Sequence, residues 1–197
     1  MSQDATAGNR AEQVRALYPV RASVRDGTQI VIRPIGPEDA QREQAFVQGL
    51  SPESRYFRFM STLRELPPET LRRFTNPDFD REIALVALTA QPAPQQIGVA
   101  RCIVQGPGRS AEFAVAVADA FQGCGVGKRL MWELIRAARA AQITELWGDV
   151  LASNQRMLAL MRSIGFGILK AAEDPLLRRA VKRIESAAGE RTSTKGS

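Results

Sequence analysis

The sequence predicts a mixed α/β (α+β) domain, with short apolar strands and amphipathic helices built around one sheet. Three observations carry this. The stretch Ala111 to Lys128 reads as strand, glycine-rich turn and helix start, with Phe113, Val115 and Val117 alternating against smaller residues. Apolar runs short enough for strands recur along the chain and are separated by helical patterns with their own start and stop signals. The 197 residues, 44% hydrophobic and 24% charged, suit one domain with its own core and short tails.

In chain order, Met1 to about Glu12 is small and polar and is expected to be a disordered tail. Val14 to Val20, with Leu17-Tyr18-Pro19, reads as a docking segment, so residues 1–20 are assigned to tail and docking and residues 21–185 to the domain. Asp26-Gly27 marks a turn, and Thr28 to Ile32 alternates as a first strand. Pro37-Glu38-Asp39 starts a helix whose apolar face holds Phe46, Val47 and Leu50. Ser51-Pro52-Glu53 starts another, with Ser51 as its cap. Leu63 to Phe74 reads as a short helix. Strands follow at Ile83 to Leu88 and Ile97 to Val104, and Gly106-Pro107-Gly108 turns into the central strand. The helix after it puts Val126, Leu130, Met131, Leu134, Ile135 and Ala138 on one face. Glu145 to Leu151 is a strand, Asn154 to Ile164 a helix stopped by Gly165, and Phe166 to Leu169 a strand. Local propensity at Leu176 to Ile184 favours helix. Residues 186–197 read as a disordered tail.

Composition excludes several chemistries. With no histidine there is no Ser-His-Asp or Cys-His relay, and no metal site is expected. Acid-base work falls to Glu, Asp, Lys, Tyr, Cys or water. Cys102 and Cys124 are too few for a disulfide framework, which points to a reducing cytosol. No run approaches transmembrane length and no signal peptide is evident, so a cytoplasmic protein with no membrane partner is expected. The net charge is +6, but the basic residues are scattered and not interleaved with aromatics. Attraction of a polyphosphate or an acidic partner therefore fits better than a nucleic-acid interface.

The glycine-rich turn is the most specific feature. A turn between strand and helix exposes free backbone N–H groups at the positive end of the helix dipole, an anion site suited to phosphate. A Walker-type loop fails, because Gln122 stands at its first position and Arg129 follows Lys128. The dinucleotide pattern fails because Gly123, Gly125 and Gly127 are spaced two apart. What remains is Q-x-x-G-x-G, over Gln122, Gly125 and Gly127.

That pattern resembles the pyrophosphate loop of the GNAT superfamily of acyl-CoA N-acyltransferases. The order strand, two helices, three strands, helix, strand, helix, strand is similar to the same superfamily, and so is the Asn154 to Phe166 segment at Asn154, Leu160, Gly165 and Phe166. The superfamily order asks for a strand at Leu176 to Ile184, where strand is the reading taken. It implies a GNAT fold, a central mixed and mostly antiparallel sheet of six to seven strands flanked by about four helices. Met157 and Met161 depart from the pattern, Met161 standing where the superfamily often has a tyrosine that protonates the departing CoA thiolate. A narrower likeness runs through Arg33-Pro34-Ile35, Leu50 to Tyr56, Arg58-Phe59, Arg81 to Ala87 and Ala111 to Val115. These resemble the acetyltransferase domains of bacterial protein-lysine acetyltransferases that modify acyl-CoA synthetases. The resemblance implies acetyl-CoA as donor and a protein acceptor such as an acyl-CoA synthetase. A small-amine acetyltransferase and a non-catalytic acyl-CoA-binding module are the alternatives. The sequence sets no oligomeric state.

The chemistry then assigns candidates. Only a neutral amine attacks a thioester, and a lysine of pKa ~10.4 pays roughly 4 kcal/mol to become neutral near pH 7.4. Glu112 is the candidate general base; without the resemblance it reads as a strand-end carboxylate. It precedes the loop by ~20 Å of strand, comparable to a pantetheine arm. Val115, Ala116 and Val117 are candidates to hold the arm through their backbone. Gln122, Gly123, Cys124, Gly125, Val126, Gly127 and Lys128 are candidates for the pyrophosphate. Asn154 is a further CoA candidate and equally a helix cap. Asp80 and Glu82 are accessory carboxylates.

Overall fold

The computed structural model describes residues 2–106, 109–172 and 174–185. Its elements run α1 (Ser2–Arg15), β1 (Val20–Ser23), β2 (Gln29–Pro34), α2 (Ala40–Gly49), α3 (Pro52–Phe59), α4 (Pro68–Phe74), β3 (Glu82–Thr89), β4 (Gln96–Gln105), β5 (Ser110–Val117), α5 (Val126–Ala140), β6 (Glu145–Leu151), α6 (Gln155–Ser163), β7 (Gly167–Lys170) and β8 (Leu177–Arg183). Short 3-10 turns at Pro37–Asp39 and Asp119–Phe121 lead into α2 and the glycine-rich loop.

The strands form one sheet in the order β1-β2-β3-β4-β5-β6-β8-β7. Every pair is antiparallel except β5 and β6. Parallel neighbours need a crossover, and α5 supplies it. Strand β3 is buried along nearly its whole length, as its run Ile83-Ala84-Leu85-Val86-Ala87-Leu88 requires for a strand covered on both faces. Strand β6 alternates instead, with Leu146, Gly148 and Val150 buried and Glu145, Trp147 and Asp149 half-buried.

Two cores flank the sheet. One holds Ile83, Leu85, Phe113 and Val115 against α1 and α5; the other holds Ala84, Val86, Val99 and Ala116 against α2 and α4. Helix α5 anchors the first core through Val126, Leu130, Met131 and Leu134, all fully buried. Each large aliphatic chain so buried is worth about 1.5–3 kcal/mol. In α3, Ser51 accepts from the Ser54 N–H at 3.1 Å as its cap, and Met60 in the left-handed region (φ 51°) ends the helix.

Several expectations are corrected. The sheet has eight strands, above the six to seven expected, because Val20–Ser23 pairs with β2 where the sequence shows no clear alternation. The N-terminus is helix α1 rather than a disordered tail. Tertiary contacts hold it: Val14 is fully buried, and Arg10 pairs with Asp80 at 2.5 Å. The Leu17-Tyr18 segment docks on α5, with the Tyr18 hydroxyl donating to the Glu133 carbonyl at 2.9 Å and Arg136 donating to the Leu17 carbonyl at 2.7 Å. The helix expected from Leu63 begins only at Pro68. By contrast, the strand expected at Leu176 to Ile184 is observed, as Leu177–Arg183 and against local propensity. Tail residues 186–197 lie outside the described residues, as do Pro107 and Gly108 of the expected turn.

Candidate active site

The parallel pair β5–β6 is joined over only three positions, Ser110 to Glu112 opposite Glu145 to Trp147. Gly148 stands where the ladder stops. A Cβ on it would lie 2.9 Å from the Phe113 carbonyl oxygen and 2.9 Å from its ring. Beyond this point a cleft of about 1160 Å³ opens, lined by Phe113 to Val117 on one side and by Asp149, Val150 and residues of α6 on the other. The Ala118 N–H donates to the Ile97 carbonyl at 2.9 Å. Backbone groups alternate along a strand, so Ala114 and Ala116 also face β4, whereas Phe113, Val115 and Val117 turn their N–H and C=O groups toward the cleft edge. Val115, Ala116 and Val117 therefore line the cleft, and Val115 and Val117 present backbone polar groups to it.

At one end of the cleft lies the glycine-rich loop. Gly123 (φ 80°) and Gly125 (φ 101°) adopt left-handed backbone, which a side chain would strain. Gly125 is the residue before α5, and its carbonyl accepts the first helical bond, from Arg129 N–H at 3.0 Å. The N–H groups of Val126, Gly127 and Lys128 thus have no intrahelical partner. Gly123, Gly125, Gly127 and Lys128 line the cleft, whereas the Val126 side chain is fully buried in the core and contributes only its backbone. Cys124 is not among the lining residues. A hydrogen bond to Asp26 and partial desolvation push its thiol up, away from the reactive thiolate.

The Gln122 amide is used inside the protein. Its Nε2 donates to Ser54 Oγ at 3.0 Å and to the Val117 carbonyl at 3.2 Å, and its Oε1 accepts from Arg156 at 3.4 Å. Next to it, Asp119 accepts from Ser51 N–H and Oγ, both at 2.8 Å, and from Ser54 Oγ at 2.7 Å. Desolvation raises the Asp119 pKa, but these donors outweigh it and hold the carboxyl below its ordinary value. The network ties the loop to the start of α3. Asn154 accepts from Met157 N–H at 3.0 Å, so it caps α6 while lining the cleft.

Glu112 lines the far end of the cleft. It is exposed, and its carboxylate accepts from Gln105 at 3.4 Å. Asp80 and Glu82 do not line the cleft. Asp80 is paired with Arg10 and Arg109, and Glu82 with Arg101 at 2.6 Å. Met161 is fully buried and offers no proton.

Sequence reasoning missed Arg25 and Arg156, which line the cleft with Lys128 and the loop glycines. Arg25 is delivered by the β1–β2 turn, where its N–H donates to the Cys124 carbonyl at 2.9 Å. Only tertiary pairing brings it there. Arg156, two residues into a helix just after Asn154, was legible as a cation beside a candidate ligand. Among the described residues no group of three or more His, Cys, Asp or Glu is placed to hold a metal ion, and no helix is long and apolar enough to cross a membrane.

Comparison with known proteins identifies the family. The chain is 34% identical over 148 residues to the acetyltransferase PA5475 of Pseudomonas aeruginosa, covering 73% of this chain and 78% of that protein. It is 30% identical over 150 residues to the acetyltransferase Pat of Mycolicibacterium smegmatis, covering 76% of this chain and 44% of Pat, so it spans less than half of that longer relative. Among solved structures, the GNAT domain of S. lividans PAT superposes with a TM-score of 0.79 at 28% identity, over 85% of this chain and 98% of that domain. The sequence model of the acetyltransferase (GNAT) family matches residues 53–166, from α3 through the loop to the end of α6. That segment is more than half of the chain and contains most of the cleft, and the chain accordingly belongs to the GNAT family, as an acyl-CoA-dependent acetyltransferase.

Proposed function

We propose that this protein moves the acetyl group of acetyl-CoA to the side-chain amine of a protein lysine, with Glu112 as general base and an acyl-CoA synthetase as the acceptor class. The observation that carries the reading is the continuity of the cleft, from the free N–H groups at the start of α5, along the open edge of β5, to exposed Glu112.

The residues divide the work. The backbone of Gly125, Val126, Gly127 and Lys128 binds the pyrophosphate, with the cations of Arg25, Lys128 and Arg156 around it. The edge groups of Val115 and Val117 pair with the amides of the pantetheine arm and hold the thioester carbonyl. The acceptor lysine enters as an ammonium, and Glu112 takes its proton directly or through a water. The free amine then attacks the carbonyl carbon, forming the carbon–nitrogen bond and breaking the carbon–sulfur bond; the second amine proton passes to the departing CoA sulfur or to water, leaving the neutral amide. No covalent enzyme intermediate is involved. A thiol of pKa ~8.5 leaves as thiolate without an obligatory acid, which suits a buried Met161.

Support for a protein acceptor is the exposure of Glu112 at an open cleft mouth, whose lining includes the exposed side chain of Met60. The subgroup likeness at Leu50 to Phe59 falls on α3, which walls that mouth. The test is incubation of an acyl-CoA synthetase from the same cell with acetyl-CoA and this protein, read by mass spectrometry of lysines. Acetylation of free polyamines or amino acids but of no protein lysine replaces this reading with a small-amine transferase. Tight binding of CoA with no turnover on any amine replaces it with a binding module.

A further inference from the structure

Arg58 lies on α3 and lines the reacting end of the cleft, close enough to Glu112 for the two charges to interact. Its guanidinium packs on aromatic rings, 5.0 Å from the centroid of Phe59 and 6.0 Å from that of Phe74. Arg101 stacks on the same Phe74 ring at 3.9 Å. The two arginines differ in their partners. Arg101 donates to Glu82 at 2.6 Å and to the Phe74 carbonyl at 3.0 Å. Among the described residues the Arg58 guanidinium makes no hydrogen bond and no ion pair; it packs on the two rings, within reach of the charges of Arg101, Glu43 and Glu112. Glu112 accepts from Gln105 rather than from Arg58.

A partly desolvated guanidinium beside a second guanidinium is costly unless an anion completes it. Burial, and then the charge of Arg101, lower the Arg58 pKa to about 10 against the opposing charges of Glu43 and Glu112, neither of which bonds it, so it stays cationic at physiological pH. Stacking occupies the faces of a guanidinium and leaves its N–H edge for in-plane partners, and a carboxylate matches that edge with two parallel bonds.

We infer that Arg58 forms a carboxylate subsite at the reacting end of the cleft, and that it takes the side chain of an acidic residue close in sequence to the acceptor lysine. The assignment rests on the protein-lysine reading above. It makes α3 a specificity element: the lysine goes to Glu112 while its acidic neighbour goes to Arg58. The net charge of +6 favours approach of an acidic segment in the same direction.

The experiment compares matched lysine peptides carrying Glu or Gln at one or two residues from the lysine, with wild type, Arg58→Met and Arg58→Lys. The expected result is a kcat/KM ratio of Glu over Gln peptides of at least tenfold in wild type, close to one in Arg58→Met and intermediate in Arg58→Lys. Using the ratio removes any general loss of activity, and acetyl-CoA affinity by calorimetry checks that each variant retains its donor site. A wild-type ratio near one, or a ratio kept by Arg58→Met, overturns the subsite. A second arm offers succinyl-CoA against acetyl-CoA with the Gln peptide. A succinyl preference that Arg58→Met abolishes moves the carboxylate to the acyl donor and overturns the acceptor assignment. A third arm offers free amino acids against their decarboxylated amines. If these are modified, the peptides are not, and the carboxylate preference disappears in Arg58→Met, the protein-lysine reading falls while the subsite stands.

Discussion

Gly125 is the residue at which backbone geometry and ligand charge can be separated. It sits at φ 101° and ψ −2°, directly before α5. A Cβ there meets nothing nearer than Arg25 Cγ at 3.9 Å, so a substitution is strained by conformation and not by a clash. Left-handed backbone costs an L-residue about 1–2 kcal/mol, with Asn and Asp the most tolerant. Gly125→Asn and Gly125→Asp therefore share the strain and differ in charge. A carboxylate ~5 Å from each of two pyrophosphate charges is repelled by about 0.8 kcal/mol per charge even at the dielectric of water, roughly 1.7 kcal/mol in all. Less screened surroundings increase this. Acetyl-CoA should bind Gly125→Asp at least tenfold more weakly than Gly125→Asn, and the gap should narrow in high salt. Calorimetry at low and high ionic strength reads both. Equal affinity of the two variants would refute the placement of pyrophosphate at this helix start, because no other difference separates them.

The remaining predictions follow the same geometry. Glu112→Gln should lower kcat by about a hundredfold, roughly 2.7 kcal/mol, with acetyl-CoA affinity little changed and a residual rate that climbs with pH as more free amine forms. A pH-rate profile within threefold of wild type from about pH 6.5 to 9 would return Glu112 to an ordinary strand-end carboxylate. Gly148→Ala must move the Phe113 backbone or ring, and should destabilise the protein by about 1–3 kcal/mol, seen as a Tm lower by about 2–4 °C per kcal/mol; an unchanged Tm would mean that the two strands part freely. Asp39 is fully buried and paired with Arg33 at 2.6 and 2.7 Å. Burial opposes its ionisation, but the Arg33 and Gly36 hydrogen bonds and the Arg33 charge prevail and hold its carboxyl below the usual range. Its contribution is thus complete above the unfolded value of ~3.9 and is lost as pH falls through the lower folded value. Arg33→Met leaves Asp39 only Arg42 at 3.1 Å and the Gly36 N–H at 3.0 Å, so it should cost less than the roughly 3–5 kcal/mol of a fully stranded buried charge at pH 7, and move acid unfolding to higher pH; denaturant titrations at pH 7 and 4 check it.

Legibility tracked how local each signal was. The β5–loop–α5 unit was readable because strand alternation, glycine spacing and helix periodicity all fall within one continuous stretch, Ala111 to Ala138. The helix starts at Ser51 and Asn154 were readable because a cap is a nearest-neighbour device. Helix α1 was not, since its fixed points, Val14 in the core and Arg10 on Asp80, lie far away in sequence. The same holds for Arg25, which reaches the loop only when β1 and β2 pair. Gln122 was identified by motif but its contacts were not: it lines the cleft while its Nε2 is spent on Ser54 and Val117. For Leu177–Arg183 propensity and topology disagreed, and pairing with both β6 and β7 decided for strand.

The three-position join between β5 and β6 also sets how stability is distributed. To one side stand five strands in sequence order, and to the other β6, β8 and β7. The seam has few ladder bonds of its own, and is bridged mainly by packing such as the edge-to-face contact of Phe113 and Phe166 at 5.1 Å. Amides along the open edge, those of Val115 and Val117, have solvent in place of a neighbouring strand, and will exchange their hydrogens faster than the amides of Ala114 and Ala116 on the same strand. A donor arm that pairs with that edge closes the ladder. The ligand then acts as a substitute strand, and its binding free energy becomes resistance of the seam to opening.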